Sequence, residues 1–318
     1  MSLHPAAAPP AYPGTESMTE PGNPQPEENL RTGGKGRRRA GKGRTPQGGG
    51  RAGRNLPAAI AVGLSLGLVL LAALLIEPIA LLAVLVAASG VGAWEMARAL
   101  STTGARPPLI PLIAGSVLMT GLAWYEGADA LFLGLIVTIG AAALWRLADG
   151  VAAVRRDFTP SVLIAVYGPF LLGFAAMLVR QMEHGNLLVI GTLVAVVLSD
   201  TGGYAAGVFL GKHAMAPKIS PKKSWEGFAG SVTAAAIGSA ALLFFMVGVP
   251  VYWGLLFGAL ISVVAVLGDL AESMLKRDLG VKDMSNLLPG HGGLMDRLDS
   301  ILFAIPTAYL FFSIITPS

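Results

Sequence analysis

Four short stretches hold most of the residues in this 318-residue chain whose types and spacing could do chemistry. In SDTGGY, residues 199–204, Asp200 interrupts a long apolar run. In SPKKSWEG, residues 220–227, Ser220 and Pro221 begin a turn and Lys222 and Lys223 are adjacent cations. Ser224 is placed to cap a following helix, with Trp225 at an interface and Glu226 beside it. In GDLAESMLKRD, residues 268–278, Asp269, Glu272, Ser273 and Lys276 fall at i, i+3, i+4 and i+7, which is one face of a helix, with Arg277 next in line. The fourth stretch carries Lys282 and Asp283, then His291 among Gly290, Gly292 and Gly293, then Asp296, Arg297 and Asp299.

Each stretch alone has an ordinary reading: a salt bridge between spans, a lysine-tryptophan anchor, a charged helix stripe, a loop histidine. Together they supply several carboxylates and several cations. Carboxylates suit hard divalent cations, and the Asp296 and Asp299 pair, three apart, is one candidate oxygen site for Mg²⁺. Lysines near a helix N-terminus suit phosphate. Glycines around a histidine let a ligand approach the backbone closely. These are the ingredients for binding a polyphosphate and stabilising charge as a phosphoryl or nucleotidyl group moves. No Walker A motif or GxGxxG run offers a soluble nucleotide-binding solution. Cysteine is absent, which removes thiolate metal sites and nucleophiles, and only four histidines leave oxygen ligands favoured.

The elements that must position these residues are apolar. Hydrophobic residues make up 53% of the chain and charged ones 13%, and the mean hydropathy is +0.64, which excludes an ordinary soluble domain. A membrane-crossing helix needs about 20 mainly apolar residues. Nine such stretches are read at 56–76, 78–99, 109–125, 130–147, 161–181, 187–210, 227–248, 251–267 and 300–316. The expected fold is an all-α polytopic transmembrane bundle over residues 55–318. Residues 1–54, rich in Pro, Gly and basic residues, are expected to be a disordered basic tail that orients the chain and touches anionic lipid, with no nucleic-acid role. Gly203, Gly207 and Gly211, at i+4 spacing, could pair helices within the chain or in a homodimer.

Placing the N-terminus in the cytoplasm and alternating sides puts every one of the 23 Lys and Arg residues except Arg180 inside, which is the positive-inside pattern. The loop at 211–226 and the segment at 268–299 then share the cytoplasmic face of the cell membrane. Asp200 would lie roughly 15 Å from the loop at about 1.5 Å per residue, unless the helix breaks at Gly202 and Gly203. An ionisable group at that depth is costly and usually functional or paired.

The fourth stretch, together with the third, resembles the signature of the phosphatidate cytidylyltransferases, or CDP-diacylglycerol synthases. Ser273, Lys276, Arg277, Lys282, Asp283, His291, Gly292, Gly293, Asp296, Arg297 and Asp299 match its elements and spacing. SDTGGY, SPKKSWEG and GDLAES extend the resemblance over the C-terminal half. Gly203 stands where alanine is commoner, and the tail lies outside the pattern. The resemblance implies that CTP and phosphatidic acid react to give CDP-diacylglycerol and pyrophosphate with Mg²⁺, the lipid entering sideways from the bilayer. It further implies that Asp269 is a metal-binding carboxylate and Asp200 the second contributor, holding one or two cations. Lys222, Lys223, Lys276 and Arg277 would neutralise phosphates. Asp283, His291, Asp296, Arg297 and Asp299 would complete the catalytic set, and Ser220, Ser224, Glu226, Glu272, Ser273, Lys282, Gly292 and Gly293 would contact substrate. The alternatives are a CTP-dependent lipid kinase, which would release CDP, and a secondary transporter using Asp200 in a broken helix. Against transport, spans one to five carry almost no polar interruptions.

Overall fold

A computed structural model describes residues 56–288 and 292–315; the expected tail and His291 lie outside the described residues. Long apolar runs have only their own backbone groups to bond with in a bilayer, so they coil into helices. The helices are α1 (Leu56–Ile76), α2 (Pro78–Leu100), α3 (Leu109–Tyr125), α4 (Ala128–Leu147), α5 (Val151–Ala165) and α6 (Leu171–Gln181). They continue as α7 (Gly185–Leu210), α8 (Trp225–Val247), α9 (Val251–Asp278) and α10 (Met295–Ile315). A π-helical turn, Val166–Phe170, joins α5 and α6 into one rod, and Pro169 inside it removes a backbone donor from the regular ladder.

Among the described residues this makes nine rods, corresponding to the nine apolar stretches of the sequence. Seven are long and apolar enough to cross a membrane, and α3 (Leu109–Tyr125) is apolar but shorter. The protein is a multi-pass, all-helical membrane bundle. Two boundaries differ from expectation. The fifth rod begins at Val151 rather than near 161, because its first turns carry Arg155, Arg156 and Asp157, which mask the apolar signal. Helix α9 runs on to Asp278, so Asp269 through Lys276 are helical.

Helix α7 does not break at Gly202 and Gly203. It runs unbroken from Gly185 to Leu210, and the glycines instead let α8 approach closely. A Cβ on Gly202 would lie 2.7 Å from the Gly230 carbonyl oxygen, and one on Gly230 would lie 2.8 Å from the Gly202 carbonyl oxygen. Gly207 and Gly211 likewise face Gly227 and Ser224 of the same chain, so this stripe packs against the start of α8. Hydroxyls tie the third helix in. Ser231 Oγ donates to the Ser199 carbonyl at 2.7 Å, and the Ser199 and Ser262 hydroxyls are 2.8 Å apart.

Segments that the charge pattern assigns to one side do meet at one end of the bundle. Asp157, fully buried, accepts from the Arg106 amide at 2.8 Å and from Arg156 Nε at 2.8 Å, and pairs with Arg146 at 3.1 Å. The α2–α3 connection and the end of α4 are thereby tied to one carboxylate on α5. Spans one to five are therefore less bare than their hydropathy indicates: Asp157 in α5 and Glu95 in α2 are both fully buried carboxylates.

Candidate active site

Helices α7, α8 and α9 enclose a cleft of about 210 Å³, whose lining includes Asp200, Lys222, Lys223, Ser224 and Asp269. Two of the four motif stretches contribute a carboxylate each, and a third contributes the lysines. Asp200 comes from the middle of α7, where the close α8 contact leaves its side chain facing the opening. Asp269 comes from α9 one residue beyond Gly268, where α9 presses on α10: a Cβ at Gly268 would lie 2.5 Å from the Asp299 carbonyl oxygen. The lysines come from a short hairpin, β1 (Ala214–Ala216) paired antiparallel with β2 (Ser220–Ser224). Residues 211–226 thus form a folded lip rather than a plain loop.

That lip is fixed at both ends of its chemistry. Ser224 accepts from the Gly227 amide at 3.0 Å and caps α8, as its spacing predicts. Glu226 accepts from the Lys212 and His213 amides at 3.1 and 3.2 Å, and its Oε1 is 2.6 Å from His213 Nδ1. It therefore clasps the hairpin base and does not line the cleft, which departs from its expected role as a substrate contact. Lys223 makes an ion pair with Asp269 across the opening. Asp200 lies within electrostatic reach of Lys223, Asp269 and Asp299.

The α9 face predicted from spacing is present. Ser273 Oγ donates weakly to Asp269 at 3.4 Å, and one turn later Lys276 pairs with Glu272 at 2.8 Å. Lys276 also reaches Asp296 at 3.0 Å. Asp296 is buried and in demand: its Oδ2 accepts from the Gly293 amide at 2.7 Å and the Met284 amide at 3.0 Å. A carboxylate so fully used by the protein is poorly placed to ligate a metal, so the pair Asp296 and Asp299 does not form the oxygen site its spacing suggested. Lys276 is likewise held by two carboxylates, not turned to the cleft. Gly292 has φ +81°, a left-handed conformation open to glycine, and a Cβ there would lie 2.8 Å from Asp296 Oδ2. Asp283 packs against the same glycine. Arg277 and Lys282 are exposed, and Ser220 pairs with Ala216 in the hairpin.

Arg297 departs furthest. On a helix it projects about 100° from Asp296 and opposite Asp299, and with Leu294, Leu298, Ile301 and Ile305 it lines a separate apolar cavity. The structure does not bring it to the cleft.

Two residues escaped the sequence reading. Glu95 accepts from Ser285 Oγ at 2.5 Å, the Leu294 amide at 2.9 Å and the Met295 amide at 2.8 Å, so it caps α10 and pins the segment before it. Its only sequence signal is a lone acid in an apolar run. Tyr167, in the π turn, has a buried hydroxyl without a hydrogen-bond partner among the described residues, within electrostatic reach of Asp269, Glu272 and Asp299.

Asp200 and Asp269 fit a magnesium ion, which takes one or two carboxylates and fills its shell with water and phosphate oxygens. Among the described residues no cluster of three or more His or acidic side chains forms an all-protein cage. The donor set suits a cation that arrives with a polyphosphate.

The model of the Cytidylyltransferase family matches residues 57–315, the whole described bundle. A Mycobacterium bovis protein named phosphatidate cytidylyltransferase is 43% identical over 273 residues, covering 82% of this chain and 89% of that one. Proteins of the same name from Mycobacterium leprae and Pseudomonas aeruginosa are 40% and 34% identical, covering 84% and 62% of this chain and 89% and 69% of their own. By the extent of that match, the chain belongs to the cytidylyltransferase family.

Proposed function

We propose that this protein is a phosphatidate cytidylyltransferase, transferring the cytidylyl group of CTP to phosphatidic acid to give CDP-diacylglycerol and pyrophosphate for phospholipid synthesis. The observation that carries the reading is the cleft, where carboxylates from α7 and α9 face two lysines on a hairpin at the end of a membrane bundle. A phosphate oxygen of the lipid attacks the α-phosphorus of CTP, the bond to the β-phosphate oxygen breaks, and that oxygen leaves with pyrophosphate. The nucleophile is already anionic, so no strong general base is required.

Asp200 and Asp269 would hold Mg²⁺, which when bound neutralises the triphosphate and stabilises charge on the departing phosphates. Lys222 and Lys223 neutralise phosphate oxygens from the hairpin. Lys223, paired here with Asp269, would turn to a phosphate oxygen and free that carboxylate for the cation. Glu226 and Ser224 keep the lysines at the rim, and Glu95 and Asp296 keep α9 and α10 in register. The lysine-rich and arginine-rich connections support an orientation with this end at the cytoplasmic face of the cell membrane, where CTP is available. Phosphatidic acid reaches the cleft from the bilayer with its chains in hydrocarbon.

The test is a detergent-micelle assay with phosphatidic acid, Mg²⁺ and CTP labelled separately at the α and γ positions. Label from the α position in lipid with release of pyrophosphate, abolished by chelating Mg²⁺, is expected. Label from the γ position in lipid would make the protein a lipid kinase and overturn the reading.

A further inference from the structure

A cavity of about 430 Å³ lies between the last turns of α2 and the segment that joins α9 to α10, and no step of the reaction above uses it. Its size is that of a small-molecule pocket. The walls include Trp94 and Arg98 from α2, and Asp283, Met284, Ser285 and Asn286 from the joining segment. The Arg98 guanidinium lies over the Trp94 ring, 5.6 Å from its centre. Some of the polar groups are spent on the segment itself. The Ser285 hydroxyl donates to Glu95 and accepts from the Leu287 amide at 3.1 Å, and the Met284 amide donates to Asp296 at 3.0 Å. Asp283 and Asn286 make no hydrogen bond or ion pair among the described residues. What remains for a ligand is an acceptor-only carboxylate, a side-chain amide, and a guanidinium that only donates, beside an aromatic ring.

That set is complementary to a cytosine ring. Cytosine carries an amino donor at N4 beside acceptors at N3 and O2; a carboxylate accepts from the amino group, and amide or guanidinium donors serve the other two. Its flat faces stack on aromatic rings and guanidinium planes. Uracil presents a carbonyl oxygen in place of the amino group, which sets acceptor against acceptor at Asp283. We infer that this cavity is the base pocket of the proposed cytidylyltransferase, an assignment that rests on that reading, with Asp283 selecting cytosine and Trp94 and Arg98 supplying the stacking surface. A chain of contacts joins the pocket to the cleft. Lys276 lies two turns, about 10 Å, beyond Asp269 on the same face of α9. Its ammonium is 3.0 Å from Asp296, the carboxylate that takes the Met284 amide in the pocket wall. The ribose and phosphates have that interval to cross.

The experiment uses the full chain in detergent micelles with phosphatidic acid, Mg²⁺ and either CTP or UTP labelled at the α position. Transfer from CTP by the unmutated protein tests the cytidylyltransferase reading. The ratio of kcat/KM for CTP to that for UTP, compared between variants, tests the pocket. Asp283→Asn is expected to lower that ratio by about tenfold or more, the scale of one base-edge pair, because an amide can donate to the uracil carbonyl. Asn286→Asp, at an exposed position, and Trp94→Leu are expected to raise KM for CTP by about tenfold and to move kcat less. An Asp283 that serves only the fold or the chemical step would slow both nucleotides together; an unchanged ratio in Asp283→Asn therefore overturns the inference. If that variant folds but does not turn over, equilibrium dialysis of labelled CMP and UMP without Mg²⁺ reads the same preference, and an undiminished preference for CMP overturns it equally. If it does not fold, an unchanged KM for CTP in both Asn286→Asp and Trp94→Leu does so.

Discussion

The cleft between α7, α8 and α9 and the cluster where α2, α9 and α10 meet contain the same kinds of residues arranged to opposite ends. In the cleft, Asp200 and Asp269 face an opening, and the one strong partner, Lys223, sits on a hairpin at the rim. In the cluster, Glu95 and Asp296 are buried and accept from backbone amides and from Ser285 or Lys276, leaving nothing for a ligand. The denser motif in the sequence is the second one, yet the chemistry fits the first. Carboxylates whose hydrogen-bonding capacity is filled by the protein hold a scaffold, and those left facing an opening can take a cation and its phosphates.

That contrast is easiest to break at Asp269. Replacing it by Asn should lower turnover by about 10³-fold, or about 4 kcal/mol, while leaving thermal unfolding in detergent nearly unchanged. Normal activity at normal expression would remove Asp269 from the metal site. Glu95→Ala should do the reverse. It strands two amides at the start of α10 and the Ser285 hydroxyl in the segment before it, each worth about 1–3 kcal/mol, so stability should fall by about 3 kcal/mol or more. The surviving folded fraction should keep its KM for CTP, measured at a temperature well below the lowered midpoint.

Smaller effects sharpen the account of how α7 presents Asp200. Gly202→Ala drives a methyl into the Gly230 carbonyl, a backbone obstacle, and should cost about 2 kcal/mol with loss of activity. Gly203→Ala meets only the Ser231 hydroxyl, which can rotate at the expense of one hydrogen bond, and should cost about 1 kcal/mol. Detergent unfolding curves of the two variants would rank them. Removing residues 1–54 should change turnover least, by less than about twofold, since charged tails of this kind act through membrane surface attraction.

The rods were legible because apolar runs of this length have no alternative to helix. The α9 face of Asp269, Glu272, Ser273 and Lys276 and the Ser224 cap were legible because helical spacing and capping are local. What escaped was long-range or ambiguous in hydropathy. Nothing near Glu95 in sequence announces its partners, which come from 190 or more residues away, and the Arg106 amide that Asp157 accepts from lies 51 residues away from it. The hairpin at 214–224 is too short for a strand pattern to register. Arg297 shares a motif with Asp296 and Asp299, but its helical phase sends it to another cavity. Asp296 reads as a metal ligand until the amides of Met284 and Gly293 are seen to occupy it.

The most direct measurement is binding of Mn²⁺, as a paramagnetic stand-in for Mg²⁺, in the presence of CTP, followed by electron paramagnetic resonance on Asp269→Asn and Asp296→Asn side by side. The account predicts that Asp269→Asn loses the bound-ion signal and that folded Asp296→Asn retains it. Retention in Asp269→Asn with loss in folded Asp296→Asn would place the metal in the cluster and contradict the division drawn between the two regions.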